Sequence, residues 1–313
     1  MAIWRSSFLL GFAVYSYWLL LSMTVTAKAK HSRTSNDTSN VVKVFGLGPG
    51  RSGTDSLRLA LIRLGFGPSY HMKEILFEEA GISTSDHIEL WHQLARNNNG
   101  EEQALTDLAT MLDPWASGSD WPLIAFPKEL LKTYPDAKFI LTFRPAQKWY
   151  RSMSNTICNI AGHDNWYMPI VHKIPLFPFN RFKIQLSMLN AVTRYAFGGN
   201  DFVGYMCDPN NAEATMKWYE DWNAKMVKII PKKQLLVFET GKDSYEELAS
   251  FLKVPIPEEP YPSSNSTRSM KFIILGMKIV ACIAIMLSAF LVSMLLFGIR
   301  RLVVQRTNGI KID

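Results

Sequence analysis

The stretch that decides the fold is "VVKVFGLGPGRSGTDSLRLALIRLGFGPSYHM", residues 41–72. It begins with a β-branched strand pattern, passes through a glycine-rich turn, and continues as a helix pattern with Leu57, Leu61 and Leu64 on one face. Gly65 follows that face as a helix stop. A turn of this kind presents backbone amides and the positive end of a helix dipole, so it predicts an anion-binding site.

The glycines alone do not identify the anion that binds there. Gly48 to Gly53 match the G-x-G-x-x-G pattern of dinucleotide folds. Those folds bind the ribose with an acidic residue at the end of the next strand, but here the next strand pattern ends at His71. The same glycines have the spacing of a nucleoside triphosphate loop. However, Thr54 and Asp55 occupy the positions of the lysine and the Ser/Thr of that loop, so the side chains that bind a magnesium-bound triphosphate are missing.

A third interpretation gives Arg51 the role of the missing lysine, from inside the turn, and makes the ligand a different phosphate anion. "GRSGTDSL", residues 50–57, resembles the phosphosulfate loop of the sulfotransferases, in which a basic residue is followed by Ser/Thr-Gly-Thr and a helix. The second signature of that family is an arginine ending a strand and a serine eight residues later. Arg144 and Ser152 in "ILTFRPAQKWYRS" have this spacing.

The resemblance extends over about residues 42–262, in an ordered set of motifs: "GRSGTDSL", "GFGPSYHM", "DWP", "YPDAKFILTFR" and "WYRS". It is closest in kind to a sulfotransferase-like branch of the P-loop superfamily that is sometimes mislabelled as NAD-dependent epimerase. The departures are Asp55, where many members have Thr or Ser, and Pro145. Asp55 is an anion beside an anion site, so direct contact between its side chain and the ligand is not expected.

The resemblance implies a donor, 3′-phosphoadenosine 5′-phosphosulfate, and a set of roles. Arg51 would stabilise charge on the leaving oxygen, and Arg144 with Ser152 would bind the 3′-phosphate. The 5′-phosphosulfate would be bound by Ser52, Gly53, Thr54 and Ser56. Sulfuryl transfer moves less negative charge than phosphoryl transfer, so no metal is expected.

A general base is still required, and three residues are candidates. His71 is preferred because it ends the strand after the loop and imidazole titrates near neutral pH. Glu74 and Asp120 are the alternatives. Each also has a structural interpretation: a buried structural histidine, an exposed helix residue, and a helix N-cap before Trp121 and Pro122, respectively.

The alternation of strand and helix patterns predicts an α/β fold, a P-loop NTPase-like three-layer sandwich around a mainly parallel sheet. Helices are expected over residues 120–134, after "ILTFR" in "PAQKWYRSMSNTI", and in "SYEELASFLK". The aromatic residues of "WYEDW", residues 218–222, are expected to pack in the core, as are Trp149 and Tyr150.

The two ends of the chain are apolar. Ile279 to Ile299 is an uncharged run of 21 residues, and crossing a bilayer takes about 20 helical residues. Arginines follow this run, which predicts a cytosolic tail and a lumenal domain. The expected location is a membrane of the secretory pathway, the Golgi. The expected division is 1–29 signal peptide or signal anchor, 30–40 linker, 41–262 sulfotransferase-like domain, 263–271 linker, 272–299 transmembrane helix and 300–313 basic tail.

Other features bear on the compartment. Sequons at Asn36 and Asn265 flank the domain and predict a glycoprotein. Cys282 lies in the apolar run, which leaves Cys158 and Cys207 as a disulfide in an oxidising compartment or as two free thiols.

Composition excludes some partners. The net charge of +7 is spread without a long basic run, so no nucleic acid is expected as a partner. His92, His163 and His172 have no ligand-like arrangement, so no metal site is expected.

The sequence therefore predicts a membrane-bound sulfotransferase that acts on an acceptor hydroxyl of a glycan, a tyrosine, a lipid or a small molecule. The alternative is an inactive nucleotide-binding membrane protein of the same fold, and an NAD-binding or nucleoside-triphosphate-binding protein is the less favoured option.

Overall fold

A computed structural model describes residues 42–84, 86–96, 100–161, 165–171, 173–174, 179–197, 202–264 and 267–308. The predicted signal segment, the linker after it, both sequon asparagines, and two of the three histidines, His163 and His172, lie outside these ranges.

The centre of the domain is a sheet of five parallel strands in the order β2-β3-β1-β4-β5. A mainly parallel sheet was predicted and is confirmed. The central strand β1 is the one that leads into the glycine-rich turn. The strands are β1 Val44–Gly46, β2 Ser69–Tyr70, β3 Ser117–Gly118, β4 Lys138–Phe143 and β5 Leu235–Glu239.

Helices connect the strands and cover the sheet. In chain order they are α1 Thr54–Arg63, α2 Met72–Phe77, α3 His87–Arg96, α4 Gly100–Leu112, α5 Pro127–Thr133, α6 Ala146–Ser154, α7 Ile157–Ala161, α8 Met168–Val171, α9 Phe179–Phe197, α10 Phe202–Cys207, α11 Ala212–Ile229, α12 Tyr245–Leu252 and α13 Thr267–Asn308. Helix α1 ends where Gly65 takes a φ of 89°, as the stop signal predicted.

The helix predicted over residues 120–134 is in fact two elements. A short 3₁₀ turn, Leu123–Ala125, is followed by α5, which starts with Pro127 at its first position. Proline has no N–H and restricts the residue before it, so a continuous helix through Pro127 is disfavoured.

The aromatic residues expected in the core are largely buried. Trp149 stacks on Tyr219 with ring centroids 4.2 Å apart, and Trp222 lies against Trp218. The stack of Trp149 on Tyr219 holds α11 against α6, the helix that carries Ser152, and so it fixes one side of the predicted anion site.

Cys158 and Cys207 form a disulfide that joins α7 to α10 across 49 residues of chain. Of the two alternatives, the structure contains the bonded one. A crosslink that closes a loop of this length stabilises a fold by about 4 kcal/mol in the chain-entropy account.

The C-terminal helix α13 is longer than the predicted span in both directions, since it begins at Thr267 rather than 272 and continues into the predicted tail. Residues Met270–Leu302 are long and apolar enough to cross a membrane. Ile274, Met277 and Ala281 pack against α8 and the residue before it, Tyr167. The first turns of α13 are therefore part of the folded domain.

Candidate active site

The glycine-rich loop follows β1 and is held tightly against its neighbours. A Cβ at Gly48 would lie 2.3 Å from the carbonyl oxygen of Thr142 on β4, so only glycine fits there. Gly53 has a φ of 106° and precedes α1, whose N-terminus has no side-chain cap. The first-turn amides of an uncapped helix start and its positive dipole end together suit an anion.

Other side chains fix the path of the loop. The Trp149 indole N–H donates to the Gly50 carbonyl at 2.9 Å, and the Trp222 indole N–H donates to the Leu47 carbonyl at 3.1 Å. Thr240, after β5, donates its hydroxyl to the Ser52 carbonyl. The loop is thus held in its conformation by residues of α6, α11 and the end of β5, which lie outside the glycine-rich motif.

Arg51 and Arg144 meet beside the loop. Arg51 Nε donates to Ser152 Oγ at 3.1 Å, and Arg144 Nη1 donates to the Arg51 carbonyl at 3.4 Å. The Nε of Arg144 is buried without a hydrogen-bond partner. Within the described residues neither guanidinium forms an ion pair with a carboxylate. The fold therefore brings together two cations and a hydroxyl from loops 93 to 101 residues apart.

The predicted hydroxyl ligands are close to this point, and several already have partners. Ser52 Oγ lies 2.9 Å from Thr142 Oγ1. Thr54 Oγ1 lies 3.4 Å from His71 Nε2. Ser56 Oγ accepts from the backbone N–H of Ser264 at 3.1 Å. These hydroxyls lie at or just before the start of α1.

Both carboxylate oxygens of Asp55 are engaged by side chains of the fold. Its carboxylate accepts from Arg58 Nε at 3.0 Å, from Lys73 Nζ at 2.8 Å and from Ser264 Oγ at 2.7 Å. Burial on its own raises the pKa of Asp55, but His71, Lys73 and Arg58 hold that pKa well below the usual range of a carboxyl group. Asp55 is therefore a paired anion that fastens neighbouring segments to α1.

Glu74 belongs to the same paired group. The alternative prediction, an exposed helix residue without a role, is wrong, because only 1% of Glu74 is exposed. Its carboxylate lies 3.5 Å from Arg58 Nη1 and accepts from the Ala80 backbone N–H at 2.9 Å. Burial raises the pKa of Glu74. Its oxygens are occupied by these partners, which argues against a role as base.

His71 is buried, and its two ring nitrogens have different neighbours. Nδ1 accepts the backbone N–H of Lys73 at 3.2 Å, so in the neutral ring Nε2 carries the proton. Nε2 lies 3.3 Å from Asp120 Oδ2. Burial lowers the pKa of His71 to about 3, so the ring stays neutral near pH 7. A ring in this tautomer donates from Nε2 and offers no free lone pair to a substrate proton.

Asp120 follows β3 and has a φ of 73°, an uncommon conformation for a residue with a side chain. Its Oδ2 faces His71, while its Oδ1 is buried without a hydrogen-bond partner. A Cβ on Gly50 would lie 3.0 Å from Oδ1, so this oxygen overlies the glycine-rich loop. Burial raises the pKa of Asp120 to about 6, against the lowering effect of Arg51. Its side chain is not a helix cap, since the 3₁₀ turn that follows begins after Pro122 and has no side-chain cap.

Several contacts at the site could not be predicted from the motifs, although Thr142 lies inside one of them, "YPDAKFILTFR". Thr142, Thr240 and Ser264 are single polar residues at strand ends or in a linker, and only the tertiary fold brings them to the loop. The described residues contain no group of three His, Cys, Asp or Glu side chains that would hold a metal ion.

Comparison with known proteins identifies the family. Residues 43–270 match the family model described as "Sulfotransferase domain", so the chain belongs to the sulfotransferase family. A curated relative, "Ava biosynthesis cluster protein M" from Aspergillus versicolor, is 31% identical over 227 residues, which are 71% of this chain and 80% of that protein. The solved structure "Crystal Structure of Sulfotransferase from Alicyclobacillus acidocaldarius" aligns at 14% identity with a TM-score of 0.33, over 78% of this chain and 93% of that one.

The resemblance drawn from "GRSGTDSL" and the later motifs is confirmed by the family match. The chain is a transferase of the sulfotransferase class.

Proposed function

We propose that the protein transfers a sulfuryl group from 3′-phosphoadenosine 5′-phosphosulfate to an acceptor hydroxyl. The observation that carries this proposal is the pair Arg51 and Arg144, neither of which forms an ion pair with another described residue. Arg51 Nε donates to Ser152 Oγ, and the Arg144 guanidinium donates to the Arg51 carbonyl. Two adjacent cations repel each other, so a fold keeps them together when a strongly charged ligand offsets the repulsion.

The donor fits this arrangement because it carries charge at two positions. The uncapped start of α1, with Ser52, Thr54 and Ser56 around it, receives the 5′-phosphosulfate. Arg144 and Ser152 receive the 3′-phosphate, and the orphaned Nε of Arg144 supplies a donor for it. Arg51, between the two, stabilises the negative charge that develops on the bridging oxygen as the S–O bond breaks.

We assign the general base to Asp120 in preference to His71 and Glu74. In the transfer step the acceptor oxygen forms a bond to sulfur, the bond from sulfur to the bridging oxygen breaks, and the acceptor proton passes to Asp120 Oδ1. That oxygen is unpartnered and overlies the loop, and a pKa of about 6 keeps it ionised and still basic at neutral pH. His71 then acts as a positioning residue, since its Nε2 lies 3.3 Å from Oδ2 of the same carboxylate.

The compartment of this activity is also a proposal. The Cys158–Cys207 disulfide supports an oxidising lumen. Arg300 and Arg301 directly follow the apolar run and support a cytosolic C-terminus. We place the domain on the lumenal side of a secretory membrane such as that of the Golgi.

The experiment is a transfer screen with the full-length protein in lipid nanodiscs. Labelled donor is offered with glycan, tyrosine-peptide, lipid and small-alcohol acceptors, with and without a metal chelator. Transfer to one class, unchanged by chelation and lost in Arg51→Ala, is the expected result. Tight binding of 3′-phosphoadenosine 5′-phosphate with no transfer to any class would instead favour an inactive relative.

A further inference from the structure

The short helix α8 is packed on the side of the C-terminal helix α13. One buried apolar cluster contains Tyr167, Met168, Val171, Ile274, Met277 and Ala281. The three α13 members are spaced three and four residues apart, so they lie on one face of that helix. This face is therefore covered by a segment of the folded domain that is remote in sequence.

The covered face of α13 extends into the apolar run. That run begins at Ile279, and the buried Ala281 lies in its first turn. Beyond Ala281 none of the described side chains of α13 is buried. The folded domain thus reaches the first turn of the run and ends there.

The length of the run fixes the depth of this contact. The uncharged run of 21 residues from Ile279 to Ile299 spans about 30 Å as a helix, which is also the thickness of the hydrocarbon core of a bilayer. The first turn of the run therefore lies at the edge of the hydrocarbon. Because α8 lies beside that turn, α8 is at the depth of the adjoining headgroup layer.

The side chains at this level are suited to a headgroup layer. Trp166, directly before the buried Tyr167, is 50% exposed, and the two rings meet edge to face with centroids 5.9 Å apart. Lys278, one residue before the run, has its Nζ 5.6 Å from the centroid of the Tyr167 ring. Tryptophan is enriched at membrane interfaces because its ring is both apolar and polar, and a lysine stem can follow apolar surface while its ammonium stays in water.

We propose that Trp166 and the exposed face of α8 insert into the headgroup layer of the bilayer that α13 enters, so that the lumenal domain lies directly on the membrane surface. The partner of this surface is a layer of phospholipid headgroups. The inference rests on the membrane placement of α13 in the proposed function, and it does not depend on the identity of the donor or the acceptor.

A consequence is that the proposed active site is held close to the membrane. Thr267, the first residue of α13, has its Oγ1 3.4 Å from Ser152 Oγ, and it is eleven residues before Lys278. At about 1.5 Å per residue these eleven residues span about 16 Å of helix, and tilt of the helix only shortens the vertical distance. Packing on α8 keeps these turns from moving independently of the domain.

The test measures the depth of three positions of similar exposure. Cys282→Ser removes the free thiol and leaves the Cys158–Cys207 disulfide. In this background Trp166→Cys, Val227→Cys and Phe290→Cys each receive a nitroxide label, and the full-length protein is placed in phosphatidylcholine nanodiscs. Val227 on α11 is 53% exposed and Phe290 in the apolar run is 52% exposed, so they are the matched controls for water and for hydrocarbon.

The readout is the ratio of the label's collision rate with oxygen to its collision rate with a water-soluble nickel chelate. Oxygen concentrates in hydrocarbon and the polar chelate is excluded from it, so we expect the ratio at position 166 to be about threefold or more above that at 227 and below that at 290.

A second measurement keeps the native side chain. In nanodiscs of brominated phosphatidylcholine, lipid bromine quenches the fluorescence of tryptophans that it contacts. The quenched intensity should be smaller in Trp166→Phe than in the wild-type protein. Equal quenched intensities would contradict the insertion of Trp166.

The remaining outcomes separate the inference from the proposal on which it rests. A ratio at 166 equal to that at 227, with a high ratio at 290, overturns the inference and leaves the membrane span in place. Low collision rates with both reagents at 166 also overturn it, because they indicate that protein covers this face. A ratio at 290 equal to that at 227 overturns the membrane placement of α13 and the inference together.

Discussion

The two sides of the first turn of α1 carry similar charges but differ in how those charges are paired. On one side Asp55, Arg58, Lys73 and Glu74 are linked by ion pairs and hydrogen bonds, and the two carboxylates are at most 2% exposed. On the other side Arg51 lies beside a second arginine, and neither forms an ion pair with a carboxylate among the described residues. The charge nearest in effect to Arg51 is the Asp120 carboxylate. The paired side links α1 to its neighbours, and we propose that the unpaired side binds the ligand.

This difference explains why charge alone is a poor guide to the site. Asp55 and Glu74 are as close to the loop in sequence as the proposed ligands, yet their oxygens are used within the fold. A buried charge with a full set of partners is a structural element, whereas an orphaned donor such as Arg144 Nε indicates a missing partner.

The largest effect is expected on the unpaired side. Arg51→Ala should lower the transfer rate by about 10³-fold or more, because it removes the cation nearest the breaking bond. Unfolding in denaturant should change little, since no ion pair is lost. A transfer rate of Arg51→Ala within tenfold of wild type would contradict the proposal that the unpaired side binds the ligand. Arg144→Ala, measured alongside, should also raise the donor KM.

The next effect concerns the base. Asp120→Asn should lower kcat by about 10²- to 10⁴-fold. The wild-type kcat/KM should rise with pH through about 6, as the Asp120 carboxyl loses its proton, and this acidic limb should vanish in the variant. His71→Gln should retain the limb, because a His71 pKa of about 3 places that ring in its neutral form throughout. Loss of the limb in His71→Gln alone would return the role of base to His71.

The paired side should respond in stability. Arg58→Ala leaves Asp55, Glu74 and Glu79 without their shared cation, and we expect a loss of about 3–5 kcal/mol in the free energy of unfolding. Arg63→Ala is the matched control on the same helix, because Arg63 is 37% exposed and pairs with the exposed Glu259. That change should cost at most about 1 kcal/mol. Equal losses in denaturant melts would refute the distinction.

The smallest effect on catalysis is expected at Glu74. Glu74→Gln keeps the shape of the side chain and should leave kcat within about threefold of wild type while lowering stability by about 1–3 kcal/mol. Steady-state kinetics and a denaturation curve on one preparation separate the two quantities. A loss of kcat comparable to that of Asp120→Asn would place Glu74 in the reaction.

Local patterns predicted the parts of the site that depend on local chemistry. The loop and α1 follow from glycines, a helix stop and an apolar face. Arg144 with Ser152 comes from the resemblance to the sulfotransferases, whose second signature has the same spacing. The sequence could not separate His71 from Asp120, because the choice depends on a backbone N–H of Lys73 that fixes the tautomer. Strands of two residues, such as β3, carry too little pattern to be found.

The contacts of Ser264 and Thr267 are a further case of what the sequence hides. Residues 263–271 were expected to be a linker because serines and prolines surround them. Tertiary hydrogen bonds from Ser264 to Asp55 and between Thr267 and Ser152 connect this segment to the folded domain. A segment with the composition of a linker can therefore form specific tertiary hydrogen bonds.

The most direct test of the central claim is a titration of the full-length protein in nanodiscs with 3′-phosphoadenosine 5′-phosphate in the presence of a metal chelator. We predict saturable binding that does not need a metal. In Arg144→Gln the affinity for this ligand should fall at least tenfold more than the affinity for adenosine 5′-phosphate. Absence of binding, or tighter binding of magnesium ATP than of the bisphosphate, would contradict the assignment of the two unpaired arginines to the sulfuryl donor.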